Sequence, residues 1–296
     1  MKKIILTAFS LLLTLGLFAQ EAPIQAEESA KSGDLSYLPE AGDFSIGFTI
    51  DPIATFVGNM FNGNTSNKLE PLHGEGLNNP CASIMGKYLL QDNFAIKANI
   101  GFIISSVNEQ YYVSDDAALM LDPLSKAKVL DSKVSNSYGG SISFGAEYRL
   151  GKRKVQGIFG GGLLYSFQTS NTTYSYGNGI TEINQKPTSK FAYEAYSTAM
   201  PNSRVLSDFS TKGTHTVGLY GNIGVEWFVA PKISLGADVN LCLLYTITPD
   251  CYKTVEGYNV FTQETEKTTQ LESPMNSAFE FGIRNIGANL FINFYF

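Results

Sequence analysis

The sequence predicts an all-β fold: a transmembrane, eight-stranded, antiparallel up-and-down β-barrel with long extracellular loops. Three observations predict it. Eight segments between residues 43 and 296 alternate apolar and polar side chains with period two, the mark of a strand with two unlike faces. Their connections alternate between short and long. Charged residues are only 16% of the 296, while Gly (28), Phe (20) and Tyr (16) are plentiful and Trp occurs once. After residue 20 no window approaches the ~20 consecutive apolar residues of a membrane helix, so any crossing is by strands.

Residues 1–19 read as a secretory signal peptide. Lys2 and Lys3 form the positive region, Ile4 to Phe18 an apolar stretch shorter than a span, and Ala19 precedes the cleavage point. Leu17 is larger than the small residue preferred there. Removing Lys2 and Lys3 takes the formal net charge from −6 to −8. So acidic a mature chain argues against a nucleic-acid partner. Residues 20–42 are polar and acidic without periodicity and read as a flexible periplasmic leader. The barrel then occupies residues 43–296. The cysteines are Cys81, Cys242 and Cys251, an odd number that leaves at least one unpaired. Two readings stand: a bridge between Cys81 and Cys251, both near loop ends, or free thiols throughout.

The first strand sets Phe44, Ile46, Phe48 and Ile50 against Ser45, Gly47, Thr49 and Asp51. The second alternates from Ala82 to Leu90, with Lys87 on its polar face, and the third from Ile96 to Ser105, with Lys97. The fourth runs from Tyr138 to Arg149 and puts Glu147 and Arg149 on the polar face. The fifth spans Val155 to Phe167 around Gly160-Gly161-Gly162, which no Lys-Ser/Thr follows, so it is not a phosphate loop. It suits close backbone approach in a narrow barrel. The sixth spans Val217 to Trp227, with Glu226; the seventh spans Ile233 to Leu243, with Asp238; the eighth spans Ile286 to Phe296.

Three connections are short: Gln91-Asp92-Asn93, Gly151 to Lys154, and Val229 to Lys232. Four are long: 52–80, 106–136, 168–214 and 246–278. That asymmetry belongs to outer-membrane barrels. The polar face is rich in small residues, as a narrow lumen requires, so the apolar face is expected outward. Large aromatics flank the short turns: Tyr88, Phe94, Tyr148, Trp227 and Phe228, with Phe44, Phe294 and Phe296 at the same end. They are expected to form an interfacial girdle.

The ending Asn289-Leu290-Phe291-Ile292-Asn293-Phe294-Tyr295-Phe296 resembles the C-terminal assembly signal of bacterial outer-membrane barrels. With the signal peptide and eight strands, the chain resembles small barrels of the OmpA, OmpX and opacity-protein type. The Leu17-Phe18-Ala19-Gln20 junction resembles signal peptides of the Bacteroidota. The resemblance implies an outer-membrane location in a Gram-negative bacterium, with loops on the cell surface. It is nearly silent about activity.

Three constellations invite a functional reading. Lys87, Lys97, Glu147, Arg149, Glu226 and Asp238 fall on the inward face within one half of the barrel. They are expected to pair and plug the lumen, since an unpaired buried charge is costly; the alternative is a narrow gated pore. Ile53, Phe56, Val57, Met60 and Phe61 recur at helical spacing after Asp51-Pro52, a cap and a first-turn proline. They predict an amphipathic helix in the first long loop, packed on the other loops, although Gly58 weakens it. Tyr111, Tyr112, Tyr174, Tyr176, Phe191, Tyr193, Tyr196, Tyr252, Tyr258 and Phe261 enrich the loops. They either bind a protein or glycan or pack among themselves.

Catalytic signals are weak. His215 begins the sixth strand near the outer membrane edge, with no Ser two residues on, and His73 sits among glycines. Asp115, Asp116 and Asp122 lack a calcium-loop pattern. The expectation is a non-enzymatic outer-membrane barrel, without cofactor or metal, that acts structurally or binds through its four loops. Its partners would be outer-membrane lipid, the β-barrel assembly machinery during insertion, and an extracellular protein or glycan. A narrow porin-like diffusion channel is the alternative, and an outer-leaflet lipid-modifying enzyme the third.

Overall fold

The computed structural model describes residues 37–49, 84–210, 212–283 and 289–296. The first five strands are β1 (Phe44–Thr49), β2 (Ile84–Gln91), β3 (Phe94–Ser114), β4 (Lys128–Leu150) and β5 (Val155–Ser175). A short helix, α1 (Asp116–Leu121), joins β3 to β4. Then come β6 (Ser203–Ser210), β7 (Thr214–Ala230), β8 (Ile233–Thr248) and β9 (Cys251–Asn259). The last three are β10 (Glu264–Ser273), β11 (Asn276–Ile283) and β12 (Asn289–Tyr295). Among the described residues no helix is long and apolar enough to cross a membrane.

Pairing closes on itself. β1 to β5 pair in sequence, β5 pairs β7, β7 pairs β8, β8 pairs β12, and β12 returns to β1, all antiparallel. The eight alternating segments of the sequence supply this ring of eight. Four further strands lie outside those segments. β6 pairs the upper part of β5, β9 pairs β6, and β10 pairs β9. β11 continues along β8 beyond β12. Of the stretches expected as loops, 246–278 is thus largely sheet, and 168–214 is sheet at 168–175 and over β6. β10 reads Glu-Thr-Glu-Lys-Thr-Thr-Gln, polar on both faces, so it offers no apolar alternation to detect.

β3, β4 and β5 run for 21, 23 and 21 residues. A membrane strand needs only about 9–11, so their upper halves stand clear of the ring's belt. There Phe191 packs edge-on against Tyr111, Tyr174 and Tyr176, at 5.9, 5.1 and 6.0 Å between ring centres. Asp131, fully buried, accepts from the Gly177 and Lys190 N–H groups and the Ser189 hydroxyl. These contacts fold the 176–193 segment onto the strand tips.

The apolar faces point out of the ring, among them Ile46, Ile100, Phe144, Leu163, Ile223 and Leu241. Inside, the small residues make room for Tyr220. A methyl group added at Gly145 would stand 2.7 Å from its hydroxyl, and one at Gly162 would overlap the main chain of Phe144 and Gly145. The three consecutive glycines are therefore spacing elements: Gly160 and Gly162 lie too close to β4 for a Cβ, and Gly161 too close to β7. Gly162→Val should lower stability by at least ~1–3 kcal/mol, the cost of overpacking. Urea unfolding in lipid vesicles measures it.

Candidate functional site

The candidate site is the ring interior near the short turns. β2, β3, β4, β7 and β8 each place ionisable side chains there because the inward positions recur every second residue. Lys87, Lys97, Glu147, Arg149, Glu226 and Asp238 are all buried, and three cations meet three anions. Lys87 Nζ donates to Glu147 at 2.7 Å and to Glu226 at 3.5 Å. Lys97 Nζ donates to Glu147 at 3.5 Å and to the Asn222 side-chain oxygen at 3.0 Å. Asn222 in turn donates to Asp238 at 3.3 Å.

Glu226 is the hub. Arg149 forms an ion pair with it, and Ser234, Asn293 and Tyr295 all donate to it. Arg149 also donates to the Tyr295 hydroxyl at 2.9 Å. Its guanidinium lies over the rings of Phe228 and Tyr295, 5.3 and 5.2 Å from their centres. The aromatic faces replace water on the parts of the cation that make no hydrogen bond. Ser234, Asn293 and Tyr295 were not grouped with the lumen charges in the sequence. All three occupy inward positions beside the named charges, so the register contained the signal.

Below the charges the interior is sealed. Leu89, Ala95, Phe228 and Tyr295 form a buried apolar floor, packed from beneath by Tyr37 and Leu38. Phe228 was expected in the girdle; it instead points inward and is fully buried, because it follows the outward Trp227 on an alternating strand. Residues 37–43 were expected mostly as flexible leader, yet they strap all three short turns. Gly42 N–H donates to the Leu89 carbonyl and Ala41 N–H to Asp92. Lys154 sits 3.7 Å over the Tyr37 ring, and Lys232 N–H donates to the Tyr37 carbonyl. Lys232 Nζ pairs with Asp43 at 2.8 Å. Burial pushes the Asp43 carboxyl up, but Lys232 and the Glu40 N–H outweigh it and hold its pKa below the usual carboxylate range.

The girdle residues stand around the same end, outside the ring. Phe44 stacks on Phe296 at 5.3 Å, and Tyr148 meets Phe159 tilted at 5.3 Å. Tyr88 and Trp227 are exposed, and Phe94 and Phe294 half-buried.

The remaining sequence candidates divide. The helix expected over Ile53, Phe56, Val57, Met60 and Phe61 lies outside the described residues, as do His73 and Cys81. Cys251 donates its thiol to the Pro249 carbonyl at 3.7 Å. Of the loop aromatics, Tyr111, Tyr174, Tyr176 and Phe191 pack together, whereas Tyr112 and Phe261 are exposed. Asp115 caps α1, Asp116 accepts from Asn184 and Thr188, and Asp122 accepts from Leu124. His215 faces outward, hydrogen-bonded to the Tyr165 hydroxyl at 2.9 Å and the Lys212 carbonyl at 3.2 Å. A carbonyl only accepts, so Nε2 carries the proton and Nδ1 accepts from Tyr165. Both ring nitrogens of His215 are thus engaged.

No family model and no curated protein matches this chain. Among solved structures it is similar to the outer membrane protein OprG from Pseudomonas aeruginosa. The identity is 14% and the TM-score 0.32, over 89% of this chain and 99% of that one. It is also similar to a major outer membrane protein from Thermus thermophilus. There the identity is 10% and the TM-score 0.34, over 86% of this chain and all of that one (100%).

Two outcomes are expected. Glu226→Gln leaves Lys87 and Arg149 under-compensated and should cost about 3–5 kcal/mol in urea unfolding. Adding Arg149→Met restores neutrality and should recover part of the loss. The Asp43 carboxylate, its pKa depressed in the fold, stabilises the strap above the ordinary carboxylate pKa. That contribution disappears as pH falls through the lower, folded value. The gel-shift melting midpoint of the folded protein should fall with pH across that window, and Asp43→Asn should weaken this dependence.

Proposed function

We propose that the chain is a non-enzymatic, eight-stranded outer-membrane β-barrel with a sealed lumen. Its strands and loops above the membrane serve a structural or binding role at the cell surface. The observation that carries this reading is the inverted polarity of the ring. A water-soluble barrel hides its apolar face inside. Here a six-charge network is inside, while side chains such as Phe102, Ile104 and Ile223 are 70%, 76% and 69% exposed. A lipid surround removes that apolar area from water.

The belt has the right height. On β4, the aromatic edges Tyr148 and Tyr138 are ten residues apart. That is roughly 33 Å along the strand and ~25 Å along the normal at a tilt of about 40°. The short turns and strap then face the periplasm, as expected after removal of a signal peptide, and the long strands face outward.

The sealed floor and the neutral ion network favour a plug over a pore. On this reading His215, held by Tyr165 and Lys212, serves the strand end rather than lipid chemistry. Partners on this reading are outer-membrane lipid, the assembly machinery during insertion, and an extracellular protein or glycan. Neither cofactor nor nucleic acid enters it.

The test is refolding of the mature chain into phospholipid vesicles, followed by single-channel recording. A heat-modifiable gel band and a silent bilayer are expected. A protein that never acquires the folded band in vesicles overturns the membrane reading. Steady conductance from a folded sample overturns the plug in favour of a narrow channel. His215→Ala should leave the lipid profile of expressing cells unchanged.

A further inference from the structure

Three stretches of chain that run side by side are each broken at one height. β6 ends at Ser210 and β7 begins at Thr214; β8 ends at Thr248 and β9 begins at Cys251; β10 ends at Ser273 and β11 begins at Asn276. Register aligns the breaks. The highest pairs below them are Gln168–Thr214, His215–Ile247 and Thr248–Asn276. The lowest pairs above them are Asn171–Phe209, Ser210–Cys251 and Cys251–Ser273. β3, β4 and β5 cross the same height with an unbroken ladder, through Ile104, Tyr138 and Thr169. Tyr138 is the upper aromatic edge of the belt, so the line of breaks runs along the bilayer surface of the membrane reading.

The residues at the breaks keep the ladder open. Pro249 and Pro274 have no N–H to donate. Gly213 is left-handed, with φ +74°. Chain lengths are also unequal. Between Gln168 and Asn171, β5 has two residues (169–170), whereas the chain between their partners Phe209 and Thr214 has four (210–213). Surplus chain of this kind kinks a sheet, as at a bulge. The bonds along the line are local: Gly213 N–H donates to the Ser210 hydroxyl at 3.2 Å, and Met275 N–H to Asp250 at 2.7 Å. Above the line, β6, β9 and β10 form a panel with continuous pairing from Ser203–Gly257 to Ser210–Cys251 and from Glu264–Asn259 to Ser273–Cys251. Its seam with β5 is short: Asn171–Phe209, Thr172–Asp208 and Thr173–Ser207.

Two side-chain bonds hold this panel to the tall sheet. The Tyr176 hydroxyl donates to the Val205 carbonyl at 2.6 Å, with the Arg204 guanidinium 4.0 Å over its ring. The Thr265 hydroxyl donates to the Ile180 carbonyl at 3.1 Å. Gly177, between Tyr176 and Ile180, is pinned to Asp131 of β4. We propose that the panel is a hinged flap: β6, β9 and β10 swing as one body about the line of breaks, and the two hydroxyl bonds latch it shut. A hinge takes up its rotation in a few residues at element ends. Gly213, Asp250 and Met275 are such residues, and β3, β4 and β5 have no counterpart at that height. Opening costs the short β5–β6 seam and the latch, and leaves the pairing inside the panel and inside the ring intact. The surface presented by β6, β9 and β10 is thereby switchable without any change in the membrane ring. The inference goes beyond the surface role proposed above and holds whichever partner fills it.

Distances between pairs of spin labels, measured by pulsed electron paramagnetic resonance on the folded full-length mature protein, test this. Cys81, Cys242 and Cys251 are first replaced by Ser. One pair joins the panel to a short turn, through Lys267→Cys and Lys152→Cys; the control joins the tall sheet to the same turn, through Gln110→Cys and Lys152→Cys. All three sites are exposed. Lys152 is common to both pairs, so its own motion cancels. The panel pair should show a broader distribution than the control, with a second, displaced distance. Tyr176→Phe with Thr265→Val removes both latch bonds and spares the rings and the strands. It should raise the weight of the displaced distance about fivefold or more, the lower estimate for two net hydrogen bonds, and leave the control pair unchanged. Equal widths in the two pairs overturn the hinge, as do weights that the double variant does not move. Broadening of the control together with the panel pair also overturns it, since the panel then has no motion of its own.

Discussion

An eight-stranded ring has an interior that side chains alone can fill, and every charge placed there must meet its counter-charge within the same cross-section. That constraint organises this molecule. With its apolar side chains turned outward, the interior is left to polar groups. Glu226 resolves most of the problem, since it binds two cations and accepts from three neutral donors. Glu147 and Asp238 neutralise the rest with help from Asn222. The glycines of β4 and β5 let the strands approach closely enough for these short side-chain reaches to meet.

Much of this was legible in the sequence, because one period serves both faces. Alternation from Tyr138 to Arg149 names Ile142 and Phe144 as outward and Glu147 and Arg149 as inward in one reading. The six lumen charges followed from that parity. Phe228 was misplaced because it was grouped by its aromatic type beside a turn, when its position one step beyond Trp227 already turned it inward. The strap was hidden for another reason. Residues 37–43 are held by main-chain hydrogen bonds and by contacts to three distant turns, and neither leaves a periodic pattern. β10 was hidden because a strand polar on nearly every position has no contrast to read, and β6 and β9 because their apolar residues do not alternate cleanly.

The upper sheet differs from the ring in what holds it together. In the ring, closure and an ionic interior set the register. Above it, Asp131 and Asn178 tie loop main chain to strand tips, and rings such as Phe191 fill the gaps. Arg204 stacks on Tyr176 at 4.0 Å while it pairs with Glu256, joining β6 to β9 and to the end of β5. β5 is the branch point: its lower edge is shared with β7 and its upper edge with β6. The upper sheet is therefore an extension of a ring strand.

Ser45 pairs with Tyr295 across nearly the whole length of the sequence, and Tyr295 also supplies the floor that Tyr37 and Leu38 cover. Seam and seal share that residue. Contacts so remote along the chain form late, after the neighbouring hairpins. Until the seam closes, the interior beside Tyr295 remains open to water along the β1 edge. Drying of the interior is thus tied to circularisation, and water trapped among the charges marks an unfinished ring.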